Sequence, residues 1–231
     1  MSKFDRTIAL FGEEKFNKLK KSKILIFGIG GVGGYTVEAL VRSGIENFCL
    51  VDGDVVSESN INRQIIATEK TVGRPKVDVM KERILEINSN AKVETKNLFY
   101  LPKNSTEIDF EKYDYIIDAI DTITAKLDII QKAKKLNKRI ISAMGAGNKI
   151  DAQGFVVADI FDTKVCPLAK VMRKELRDRG IDSLKVVYST EKPYNSTVDE
   201  EGKRVPSSNS FVPGMAGLTL ASEVILDIIN E

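Results

Sequence analysis

"KSKILIFGIGGVGGYTVEALVRSGI", Lys21 to Ile45, is the stretch that decides the fold. The run from Lys23 to Phe27 has the length and unbroken hydrophobicity of a strand buried on both faces. Gly28, Gly30, Gly31 and Gly33 follow at once, and a helix is predicted from about Gly33 to Arg42, stopping at Gly44. In a strand, glycine turn and helix of this kind, backbone N–H groups and the positive helix end face an anion, usually a phosphate.

The same alternation continues outward. "NFCLVD" is a second strand ending on Asp52, and "GRPKVDVMKERILEINSN" is a helix with Pro75 in its first turn and Val77, Met80, Ile84 and Ile87 on one face. "AKVETKNLF", "YDYIIDAID" and "RIISAMGAG" read as strands, with a helix over "AKLDIIQKAKKLNK". After Gly147 the pattern changes: "GFVVADIFD" and "LKVVYSTE" read as strands flanking a basic helix, "PLAKVMRKELRDRG". Thr190 to Ser210 has no periodicity and many turn formers, which predicts a lid or mobile loop. "NST" at Asn195 within it matches a glycosylation sequon but reads as loop sequence. "FVPGMAGLTLASEVILDII" closes the chain as an apolar helix whose Gly214, Ala216 and Gly217 allow close backbone approach, in the core or between subunits. The expectation is an α/β fold: a doubly wound, mostly parallel, Rossmann-like sheet with helices on both faces and a mixed C-terminal extension.

With 231 residues, 42% hydrophobic and 29% charged, the chain can bury a full core as one domain. Its net charge of +2 points to no nucleic acid by itself, so local clusters must carry any such claim. No apolar run approaches the roughly 20 residues of a membrane span, and the N-terminus has no signal-peptide core; a cytoplasmic protein with no membrane contact is expected. Two cysteines, Cys49 and Cys166, fit a reducing compartment. Without histidine, the chain has too few ligands for a Cys/His zinc site and no imidazole base.

"DGDVVSESNINRQ", residues 52 to 64, separates two kinds of nucleotide site. An acid at a strand end, roughly 20 residues past a glycine turn, usually meets a ribose hydroxyl and fits a nicotinamide enzyme. Such an enzyme has no evident use for Asp54, Ser59, Asn60, Asn62, Arg63 and Gln64 just behind Asp52. Arg63 suits phosphate oxygens and the charge that builds up during transfer at phosphorus, and Lys76 in "TVGRPK" adds a second cation. In "DAIDT", Asp118 reads as structural or at the edge of a site, and Asp121 as a magnesium ligand or a helix cap.

Taken in order, GIGGVG, DGDVVSESNINRQ, TVGRPK and DAIDT resemble the ThiF/MoeB-like and ubiquitin-activating superfamily of adenylating proteins, over residues 1 to about 148. The resemblance implies that a substrate carboxylate attacks the α-phosphorus of ATP, releasing pyrophosphate and leaving an acyl-adenylate. It implies that Gly31 and Asp52 hold adenosine, that Asn60, Arg63 and Lys76 grip the phosphates, and that Asp121 carries Mg²⁺. Gly28, Gly30, Gly33, Asp54, Ser59, Asn62 and Thr122 complete the cofactor-binding candidates. Arg6, in "KFDRTIALFG", matches an arginine that reaches into the other subunit of a homodimer; its alternative is a surface arginine. The expected organisation is one adenylation domain over 1–231, with a nucleotide-binding core at 1–148 and an extension at 149–231.

Members that activate ubiquitin-like or sulfur-carrier proteins commonly hold zinc on four cysteines, which this chain lacks. "PLAKVMRKELRDRGI", "VVYSTE" and "SNSFVPGMAGLTLASEVI" instead resemble a branch that acts on threonylcarbamoyladenosine in tRNA. There, adenylation of the threonyl carboxylate lets the side chain close into a ring. Three basic clusters are compatible with RNA: Lys170, Arg173, Lys174 and Arg177 on one helix face opposite Leu168, Val171, Met172 and Leu176; Lys18 to Lys23; and Lys132 to Arg139. A carrier-protein adenylyltransferase and a nicotinamide oxidoreductase remain the alternatives. The resemblance leaves room for a monovalent cation and a sulfur-transfer partner.

Overall fold

The computed structural model describes residues 2–194, 196–198, 202 and 204–231. Two short helices, α1 (Asp5–Phe11) and α2 (Glu13–Lys21), lead into β1 (Lys23–Phe27). The alternation of β1 explains its central place. Ile24 and Ile26 enter one core, Leu25 and Phe27 the other, and all four are fully buried. Each such side chain stabilises the fold by roughly 1.5–3 kcal/mol.

α3 (Gly31–Arg42), β2 (Asn47–Val51), α4 (Lys76–Ile87), β3 (Lys92–Lys96), β4 (Tyr115–Asp118), α5 (Ile123–Lys135) and β5 (Arg139–Ala143) follow in the expected order. α3 starts two residues earlier than predicted. Val77, Met80 and Ile84 of α4 are buried, whereas Pro75 caps that helix from just outside. β6 (Phe155–Asp159), α6 (Pro167–Arg177) and β7 (Lys185–Ser189) build the extension. The seven-stranded sheet runs β3-β2-β1-β4-β5-β7-β6, parallel throughout except for β6, which pairs antiparallel with β7. Chain order reverses between β1 and β4. A doubly wound sheet opens a ligand crevice at such a switch point, outside the carboxyl ends of its strands.

Three expectations are corrected. The 190–210 stretch is not wholly loop: β8 (Thr197–Val198) and β9 (Arg204–Val205) form an antiparallel hairpin there, too short for periodicity to reveal. Positions 195, 199–201 and 203 of that stretch, including the Asn195 sequon, lie outside the described residues. On α6, Val171 does not join the apolar face; Ala169, Met172 and Leu176 are buried, and Val171 is exposed. Finally, an apolar run does come close to bilayer length. The closing helix α7 (Val212–Ile229) has 18 residues and passes that test by composition, but most of it is buried in the fold. It packs mainly on α3, where a Cβ on Gly217 would fall 2.3 Å from the Val32 carbonyl oxygen. The small residues of α7 therefore serve the core, and Thr36 donates to the Gly217 carbonyl across the contact (3.0 Å).

Candidate active site

A cleft of about 740 Å³ lies at the carboxyl ends of β1, β2, β4 and β5, within the size range of small-molecule sites. Its floor is the glycine turn. Gly28 has φ +89°, and a Cβ on Gly33 would sit 1.8 Å from the Gly28 carbonyl oxygen, so the first turn of α3 can press directly on the loop. Gly28, Gly30 and Gly31 line the cleft, whereas Gly33 lies behind them as the packing contact.

Asp52 is half-buried beside this turn. Its carboxylate accepts from the Ile29 N–H (2.6 Å) and the Asp54 N–H (2.9 Å), locking the two loops together. Burial pushes its carboxyl pKa up, opposed by the Ile29 N–H, by Lys76 and by the Asp54 N–H. Lys76 is brought in by an antiparallel bridge between Val55 and Pro75, and its ammonium pairs with Asp54 at 2.8 Å.

Arg63 is differently placed. Its guanidinium donates to the Ser59 carbonyl (2.8 Å) and the Asn62 side-chain oxygen (2.9 Å), both neutral. Asn60 lines the cleft but is buried, with its side-chain oxygen accepting the Ser57 N–H (3.2 Å). Ser59 and Asn62 do not line the cleft: the Ser59 hydroxyl bonds to Ser57, and Asn62 donates to the Ser208 carbonyl.

Asp121 and Thr122 line the cleft from the loop between β4 and α5, with the Asp121 carboxylate exposed. That loop rests on a fully buried ion pair, Lys126 with Asp118 at 2.9 Å. Lys126 also donates to the carbonyls of Ile120 and Ala143, and the Ser142 hydroxyl donates to Asp118 (2.6 Å). Asp118 is thus structural, and Lys126 fixes the loop that carries Asp121. The sequence signal for Lys126 was a lysine on the apolar face of a helix, three and four residues before Ile129 and Ile130.

Two further cleft residues have no role assigned from sequence, Gln64 because it counts there only as part of its stretch and Lys149 because it lies outside the stretches read for chemistry. Gln64 lines the wall with an amide oxygen that is buried and has no hydrogen-bond partner among the described residues. Lys149, in the irregular stretch after β5, is almost wholly buried. Arg6 is exposed on α1, away from the cleft of its own chain.

The cysteines are both buried. Burial pushes the Cys49 thiol up to about 11, and Cys166, although it lines the cleft, is only 2% exposed. Among the basic clusters, Lys18, Lys20, Lys132 and Arg139 pair with Glu14, Glu46, Asp128 and Glu231. On α6, Arg173 donates to the Thr163 carbonyl and Arg177 lies over the Phe161 ring, leaving Lys170 and Lys174 facing solvent.

A profile of the ThiF family matches residues 4–228. The chain is 38% identical over 244 residues to tRNA threonylcarbamoyladenosine dehydratase of Bacillus subtilis, covering 100% of this chain and 96% of that protein. The Escherichia coli tRNA N6-threonylcarbamoyladenosine dehydratase in complex with AMP superposes with a TM-score of 0.91 at 32% identity, covering 99% of this chain and 94% of that one. The same E. coli protein in complex with ATP superposes with a TM-score of 0.88 at 31% identity, with the same coverage.

Proposed function

The chain belongs to the ThiF family, and we propose that it uses ATP to adenylate the threonyl carboxylate of threonylcarbamoyladenosine in tRNA, driving its dehydration to the cyclic nucleoside. The observation that carries this reading is the cleft itself: a glycine turn at the switch point faces Arg63, whose hydrogen bonds among the described residues go to neutral oxygens. A triphosphate is the ligand that this charge and these backbone donors suit. The unpartnered amide oxygen of Gln64 supplies a further contact point for a polar ligand.

The substrate carboxylate attacks the α-phosphorus, and pyrophosphate leaves. Arg63 stabilises the charge that grows on the phosphoryl oxygens, and Lys76 joins it by exchanging Asp54 for phosphate. An atom of the same threonylcarbamoyl side chain then attacks the activated carbonyl and displaces AMP, so that the nucleoside loses the elements of water. Tethering gives this closure a high effective molarity, and no enzyme nucleophile is needed.

Magnesium fits the donor set. A metal ion held on nucleotide phosphates takes one or two protein carboxylates and keeps several waters, and Asp121 offers an exposed one at the cleft. Bound there, the ion would neutralise phosphate charge. No monovalent-cation site is assigned.

We further propose a cytoplasmic homodimer in which Arg6 serves the partner's cleft, because it stands exposed and away from its own. Mixed Arg6→Ala and Asp121→Ala subunits should then regain activity in heterodimers, each variant alone being inactive; heterodimers without activity would remove Arg6 from the mechanism. Exposed Lys170 and Lys174 offer a basic surface for tRNA. The carrier-protein alternative loses support from the full-length likeness to a tRNA enzyme and from two buried cysteines, and the nicotinamide reading gives way to the ThiF family.

The test is mass spectrometry of tRNA nucleosides from a strain lacking the gene. Loss of the cyclic nucleoside with build-up of its open precursor is expected; an unchanged nucleoside profile would refute the reading.

A further inference from the structure

The cleft has two halves. By the strand order, the loops after β2 and β1 bring Arg63, Lys76 and the glycine turn to one, with Asp121 after β4 beside them, and the other is walled by the segment after β5, the start of α6, and Pro206 and Ser208 of the C-terminal loop. Lys149 stands in this second half, only 4% exposed. Its ammonium donates to the carbonyl oxygen of Glu191 at 2.7 Å. The Glu191 carboxylate is already engaged, accepting from the N–H groups of Ile150 and Asp151.

An ammonium buried against a neutral oxygen is costly unless an anion completes it. Burial does push the Lys149 ammonium below the usual lysine range, opposed by Cys166 and Glu191. The backbone here is also pinned. Asn209 donates to the Lys149 carbonyl (3.0 Å), and neighbouring Asn148, held at φ +59°, bonds through its N–H and side-chain oxygen to Ser207 and through its carbonyl to Tyr194. A lysine fixed on both sides of its backbone keeps its charge at one point of the wall.

The reaction brings a carboxylate against a triphosphate, two anions that repel. The phosphate half already holds its own cations, so the approaching carboxylate needs a separate one. We propose that Lys149 receives the threonyl carboxylate of the substrate in the second half of the cleft and holds it for attack. This rests on the functional reading above, and it gives the site a means of telling modified from unmodified tRNA.

Competition binding with tRNA carrying threonylcarbamoyladenosine and the same tRNA carrying plain adenosine tests it. The wild type should favour the modified tRNA by about 10- to 100-fold, the range of one charge-assisted hydrogen bond. Lys149→Met should bind both tRNAs alike, with an unchanged ATP Kd showing that the cleft is intact, and Lys149→Arg should recover part of the preference. If Lys149→Met does not fold, Lys149→Gln is read in the same way. A Lys149→Met protein with full preference for the modified tRNA would overturn the proposal, as would one that loses ATP binding and keeps that preference. A wild type that makes no cyclic nucleoside would instead refute the functional reading, which keeps the two failures apart.

Discussion

The two ends of the sheet treat charge in opposite ways. At the amino end, Lys185 sits between Glu223 and Asp227 (both 2.7 Å), Tyr115 donates to Asp227, and Arg139 pairs with Glu231 at 2.7 Å while lying over the Tyr115 ring. At the carboxyl end, Arg63 and Lys149 hydrogen-bond among the described residues to neutral oxygens, and Lys76 pairs with the exposed carboxylate of Asp54, which it can give up. A network closed among its own members holds the fold together. Cations left with neutral partners in a cleft are positioned for something that arrives, and this contrast separates structural from functional charge more sharply than residue type does.

The largest effect should come from a fully buried pair beneath the carboxyl end, Lys126 with Asp118. Lys126→Met leaves Asp118 buried without its counter-ion, which should cost about 3–5 kcal/mol and lower Tm steeply. A variant of wild-type stability would mean that the charge lies elsewhere. Arg63→Ala should behave in the reverse manner: turnover falls by at least about 100-fold while Tm hardly moves. Near-normal cyclisation by that variant would break the contrast at its functional end.

These two residues also mark the limit of what the sequence showed. The buried strand from Lys23 to Phe27, the glycine turn and the α4 face were legible because each is a local pattern with its own period. Arg63 and Lys76 were legible because they follow a nucleotide turn within one short stretch. Lys126 and Lys149 were not, since their partners, Asp118 with Ala143 and Glu191, are set by the approach of separate segments. Val171 was misplaced because the buried face of α6 follows what packs on it, namely Ala169, Met172 and Leu176. The β8–β9 hairpin offered two residues per strand, too few for any periodicity.

A smaller effect is expected at the amino end. Burial pulls the Lys185 ammonium down, but hydrogen bonds to Asp227 and Glu223 outweigh it and leave its pKa raised. A raised lysine stabilises the fold below its unfolded pKa of about 10.4, and loses that contribution as pH climbs through the folded value. Lys185→Met should therefore cost about 1 kcal/mol or less at neutral pH, with turnover unchanged and the Tm gap to wild type closing above about pH 10.5, and again in acid as Asp227 and Glu223 take up protons. A gap that persists unchanged above about pH 10.5 would contradict this pairing.

The smallest effect belongs to the cysteines. The double variant Cys49→Ala, Cys166→Ser should keep most of its ATP-dependent activity, because ring closure within the substrate uses no thiolate and both thiols are buried. A thiol-cleavable adduct trapped on Cys166 during turnover would instead favour transfer to a protein.

The most direct test of the central claim uses purified protein, ATP and tRNA bearing threonylcarbamoyladenosine, following the nucleoside by mass spectrometry and the nucleotide products together. The account predicts a nucleoside lighter by one water, with AMP and pyrophosphate released in equal amount to it and nothing formed without ATP. Formation of ADP in place of AMP, or an unchanged nucleoside while ATP is consumed, would contradict it.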